Sequence, residues 1–164
     1  MRQKLVETIR AACRLIDSEN GKQGMDQLRD LWSQNPDQGE VFLEVALELD
    51  KRSMEDEAIP LYVKALELDL PDEKEWIALA CLASSYRNIG DYVNALKTIN
   101  HARKKYHSHP VIECFYSLIL LDSKKCTEAV RTLGMTLLRE ADPNVFNGFR
   151  EALESKFSEL GADH

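Results

Sequence analysis

The sequence has no run long and apolar enough to cross a membrane: its longest uninterrupted apolar stretch, Trp76 to Ala83, is far short of the roughly 18 residues a span needs. Positive charge is in deficit, with 21 Lys and Arg against 28 Asp and Glu, and the net charge of -7 disfavours attraction to phosphate backbones or anionic lipid. Neither nucleic acid nor a membrane surface is therefore an expected partner. Cysteine is sparse: Cys13, Cys81, Cys114 and Cys126 lie far apart and form no C-x-x-C pair. Arg2, Lys4 and Glu7 fall where a signal peptide would be apolar, so the thiols read as reduced ones in a cytoplasmic protein rather than as a disulfide framework.

Catalytic signatures are missing too. The seven glycines include no phosphate-cradling run, since Gly21 and Gly24 only bracket Lys22 and Gln23 in a turn with no strand before it. Neither G-x-S-x-G nor H-E-x-x-H occurs. The histidines are His101, His107, His109 and His164. His107 and His109 could reach one metal from a loop, but two ligands without carboxylate or thiol neighbours make a poor site. No catalytic residue, metal or cofactor is expected.

What the sequence does have is a globular composition, 44% apolar and 30% charged, in 164 residues, enough for one domain with its own core. It also repeats itself. A small residue at Ala58 recurs at Ala95 and Ala129, spaced 37 and 34 apart. Four residues on from each stands Tyr62, Ile99 or Leu133, and seven on stands Ala65, Ala102 or Thr136. That i, i+4, i+7 spacing is one face of a helix, and small residues on it let a neighbouring helix approach closely. Each such helix follows another with its own apolar stripe: Phe42, Val45, Ala46 and Leu49; Leu79, Leu82, Ala83 and Tyr86; Tyr116, Ser117 and Leu120. Between the two helices of the clearest copy, Gly90 suits a left-handed helix end and Asp91 a cap.

Unit boundaries fall at Pro36, Pro71 and Pro110, because the residue before a proline is pushed out of the helical region. The 37-residue spacing puts three extra residues near Asp72 to Glu75, as a longer loop or an extra helical turn. Ser53 followed by Asp56 reads as an N-terminal cap, yet Pro60 then falls inside the helix, which must start later or bend. After the last unit, Asp142 and Pro143 read as the start of one more helix, over 144–160, whose stripe is Val145, Phe146, Phe149, Leu153, Phe157 and Leu160. A solenoid needs such a cap over its last unit.

Leu79, Leu82, Ala83, Tyr86, Gly90, Asp91, Tyr92, Ala95 and Ala102 resemble the tetratricopeptide repeat signature at its own spacing. The resemblance implies an all-α, right-handed solenoid in a single domain spanning 1–164. Its units are 39–72, 76–109 and 110–143, with a degenerate unit over 5–38 and a capping helix over 144–160. In the last full unit Lys124 and Lys125 replace the Gly-Asp turn and Thr136 replaces an alanine. The chain also resembles a small bacterial family of single-domain tetratricopeptide proteins, for which dimerisation is the expectation.

In such arrays the first helix of each unit lines a concave groove. Mapping the chain places Ile9, Cys13, Leu43, Leu47, Ile77, Ala80, Cys81, Ser84, Cys114 and Leu118 along it, a mostly apolar lining. The subfamily that grips a C-terminal carboxylate uses Lys, Arg and Asn at such positions; here stand Ile9, Cys13, Glu44, Ile77 and Cys81, so no carboxylate clamp is expected. The resemblance therefore implies a noncatalytic module that binds a protein or peptide segment, self-associating as a homodimer. Phe146, Phe149, Leu153 and Phe157 are the candidate cap or dimer surface. The alternative is a thiol-based redox or metal-responsive protein using Cys13, Cys81 and Cys114 in the groove.

Overall fold

Helices with one apolar face and short turns between them have a single economical arrangement, antiparallel pairs stacked side by side, and the chain adopts it. The structure, a computed structural model, describes residues 2–161. Among these there are nine α-helices and no strand: α1 (Arg2–Ile16), α2 (Gly21–Ser33), α3 (Gly39–Asp50), α4 (Glu55–Glu67), α5 (Asp72–Asn88), α6 (Tyr92–Lys105), α7 (Pro110–Asp122), α8 (Cys126–Glu140) and α9 (Arg150–Glu159). The pairs α1/α2, α3/α4, α5/α6 and α7/α8 pack internally, and α3, α5 and α7 each pack against both helices of the pair before.

The small-residue positions are where paired helices touch. Ala58, Ala95 and Ala102 are fully buried and Ala129 nearly so. Gly24 holds the same place in α2, where approach is closer still: a Cβ there would lie 2.5 Å from the Ala12 carbonyl oxygen and 2.7 Å from the Ile16 nitrogen. Apolar burial runs on from α1 to α5 through Leu28, Leu43, Val45, Leu49 and Tyr62, and from α5 to α8 through Leu79, Ile99, Ile112, Ile119 and Leu120.

Polar ties join neighbouring pairs. The Arg52 guanidinium donates to both Asp17 carboxylate oxygens, at 2.8 and 2.9 Å, and to the Glu48 carbonyl at 2.7 Å. Glu113, nearly buried, accepts from Arg103 Nε at 2.9 Å, while that guanidinium lies 3.8 Å over the Tyr116 ring, whose hydroxyl donates to Glu128 at 2.6 Å.

The turns follow one pattern. Gly90 has φ of 81°, and Ser53 and Lys124, at the same place in the neighbouring units, have φ of 54° and 65°. Ser53 is therefore the left-handed residue of its turn and not a cap; Met54 precedes α4 with no side-chain cap bond. Asp91 does cap, its side chain accepting from Asn94 N at 3.1 Å. Pro60 lies inside α4, which starts at Glu55 and runs through it. The three extra residues near Asp72 form an extra turn of helix: α5 has 17 residues against 12 in α3 and 13 in α7. That turn carries anchors to both sides, Lys74 to Glu40, and Asp72 and Glu75 to Lys105 at 3.1 and 2.5 Å.

The C-terminal segment departs from the continuous helix expected over 144–160. Asp142 caps a short 3-10 turn, Pro143–Phe146, by accepting from Asn144 N at 2.9 Å. Asn147 and Gly148 then both turn left-handed, with φ of 44° and 84°, and α9 begins only at Arg150. These residue types pay little for that conformation, so the break is cheap. It aims α9 at α8: Phe157 lies over Gly134, where any side chain would collide with the ring, and Arg131 donates to the Leu160 carbonyl.

Candidate functional site

The repeat makes burial comparable position by position. Ile9, Leu43, Ala80 and Cys114 share one place on the first helices, and Leu28, Tyr62, Ile99 and Leu133 share one on the second. The first three of each set are sealed, none more than 2% exposed, because the next first helix packs over them. Among the described residues no first helix follows the fourth copy. Cys114 is exposed and Leu133 is 43% exposed.

This comparison divides the expected groove lining. Ile9, Cys13, Leu43 and Ala80 are core residues and offer no free surface, since successive first helices close over them. Leu47 on α3 and Ile77, Cys81 and Ser84 on α5 are half-buried, and their spacing sets the α5 residues along one stripe. Cys114 and Leu118 continue on α7, both exposed. Of the expected groove lining, Leu47, Ile77, Cys81, Ser84, Cys114 and Leu118 therefore keep exposed surface.

Beneath this stripe lies a polar knot. Asp50 accepts from Ser85 Oγ at 2.9 Å and from Tyr62 Oη at 3.3 Å. Burial pushes its carboxyl above the ordinary value against those two hydrogen bonds. Burial, reinforced by the Asp50 carboxylate, pushes the Cys81 thiol up to about 11. Burial also raises the Cys13 thiol. Burial thus disfavours the thiolate at both positions. His109 stacks on Trp76 with ring centroids 4.3 Å apart, His101 and His107 are exposed, and His164 lies outside the described residues. No group of three or more His, Cys, Asp or Glu that could hold a metal occurs among the described residues. No helix there is long and apolar enough to cross a membrane.

At the C-terminal end the cap is incomplete. α9 has no fully buried residue, and only Arg150, Phe157 and Leu160 of its segment are half-buried. Of the candidate cap residues, Phe157 meets α8 and Phe146 is half-buried, whereas Phe149 is 65% and Leu153 36% exposed. α9 leaves Leu133 and Leu137 of α8 in the open.

One concavity was not read from the sequence: a cleft of about 670 Å³ among α4, α5 and α6, floored by Leu66, Leu79, Leu82 and Tyr86. Tyr86, on the apolar stripe of its first helix, is half-buried on this floor. Lys97, His101 and Lys104, spaced along one face of α6, form its rim, and that spacing was the signal available.

A family profile described as Tetratrico peptide repeat matches residues 39–156, from the start of α3 into α9. Among curated proteins, none matches the chain.

Proposed function

The chain belongs to the tetratricopeptide repeat family, and from that premise we propose that it is a noncatalytic protein-interaction scaffold that self-associates as a homodimer. The observation that carries this reading is where its uncovered apolar surface lies. Nine of the thirteen exposed large apolar side chains fall beyond residue 110, on α7, α8 and the segment after them. A soluble monomer leaves apolar patches of at most a few hundred Å², and larger ones mark interfaces. The half-buried stripe of Leu47, Ile77, Cys81 and Ser84 supplies a second, concave face for a peptide segment of another protein.

Thiol chemistry finds less support. A reactive cysteine needs a neighbouring cation or helix N-terminus to form thiolate, whereas burial acts in the opposite sense on Cys13 and Cys81. Sedimentation equilibrium tests the reading: a species of twice the 18.7 kDa chain mass is expected at micromolar concentration, and a species of one chain mass at every concentration overturns the homodimer. A bound peptide segment, located by its protection of the Ile77 and Ser84 backbone from hydrogen exchange, would identify the concave face as the second site.

A further inference from the structure

We propose that the open end of the last unit is the docking surface for a second copy of the chain, related by a two-fold axis, with Val145 and Phe149 of each copy packing on the exposed apolar face of Leu133 and Leu137 of the other. The proposal deepens the homodimer reading and rests on it.

That face is the seat that a following first helix would take. Residues equivalent to Cys114 and Leu133 are sealed by such a helix at the three earlier positions in the chain. Helical phase shows why α9 does not fill it. Ala129 and Thr136 face α7, while Arg131 and Gly134, on the far side of α8, meet the α9 segment. Val130, Leu133 and Leu137 lie between these two faces and are 50%, 43% and 56% exposed. Two knobs stand at the same end: Val145, 68% exposed, and Phe149, 65% exposed, flank the break at Asn147 and Gly148.

One end that carries both knobs and socket is self-complementary, the condition for a closed, isologous pair. The head-to-tail alternative needs an apolar surface at the other end of the solenoid. That end offers much less: among the described residues no large apolar side chain before Val63 is exposed, and Leu5, Val6, Leu15 and Ile16 are half-buried. The exposed side chains of Val130, Leu133, Leu137, Val145 and Phe149 supply the mainly apolar centre that a homodimer interface has.

Sedimentation equilibrium on Leu137→Glu, Phe149→Glu and Leu47→Glu, beside the parent, tests this. Leu137 and Phe149 are mostly exposed, so the fold of each variant should survive, as circular dichroism would verify; Phe149→Ala gives a milder version. The expected result is a parent dimer, monomers for Leu137→Glu and Phe149→Glu, weakened association for Phe149→Ala, and a persisting dimer for Leu47→Glu. A dimer broken only by Leu47→Glu, or by none of the four, overturns the surface assignment and leaves the homodimer standing. Open-ended polymers overturn the two-fold arrangement. A parent that is monomeric at every concentration overturns the homodimer and this surface together.

Discussion

Ile99 and Leu133 occupy the same place in successive units, yet the first is fully buried and the second is 43% exposed. Nothing in the two residues accounts for the difference; what differs is the neighbour. Over Ile99 sits α7, the next first helix, whereas the segment after α8 breaks at Asn147 and Gly148 and turns to the opposite face. A large aliphatic side chain at the same repeat position is thus core in one unit and surface in another. In a solenoid, burial is a property of the junction rather than of the unit.

Truncation at the two positions should show the contrast most strongly. Ile99→Ala is expected to cost about 2–5 kcal/mol, as a buried truncation does, whereas Leu133→Ala should cost less than about 1 kcal/mol in dilute, monomeric protein. Denaturant melts of both at low protein concentration check this, and equal losses would mean that Leu133 is sealed in solution. Enlargement comes next: Ala95→Leu should overpack the contact with α5 at a cost of about 1–3 kcal/mol, while Val130→Leu, on the open side of α8, should stay within about 0.5 kcal/mol of the parent.

The turns offer a smaller contrast. Lys124 holds the left-handed conformation that Gly90 holds in the unit before, so Lys124→Gly should gain up to about 1 kcal/mol and Gly90→Ala should lose a similar amount. Thermal melts that move the two variants in the same direction would contradict the shared turn. Smallest is a pH effect at the sealed junction. Burial raises the Asp50 carboxyl, so the folded state holds that proton more tightly than the unfolded state. Its contribution is present at acid pH and is lost as pH rises through the folded value. The melting temperature of Asp50→Asn relative to the parent should therefore rise between about pH 3 and about pH 7; a relative fall over that range would show that the carboxylate is stabilised there.

Much of this architecture was legible in the residues. Ala58, Ala95 and Ala129 mark helix contacts because only small side chains fit there, and prolines mark the unit boundaries because the residue before each leaves the helical region. Asp91 caps α6 as its type and place suggest. Other features were hidden by physics that acts between units. Leu43 and Ala80 look like groove lining on an isolated first helix, and only the following helix makes them core. The spacing of Phe146, Phe149, Leu153 and Phe157 fits a continuous helix so well that it masks the break, for which Asn147-Gly148 was the local signal. Ser53 resembled a cap because its type suits one, yet its repeat position, shared with Gly90, is the left-handed one.

The contrast between sealed junctions and an open end is read most directly at Cys114, a native thiol at the position that Ile9, Leu43 and Ala80 fill in the sealed copies. Its alkylation rate, resolved by peptide mass spectrometry as a function of protein concentration, should be fast in dilute solution and fall several-fold as a second copy covers the end. A Cys114 that is slow at every concentration would show that the chain seals its own end, and one that is equally fast at every concentration would show that no second copy covers it.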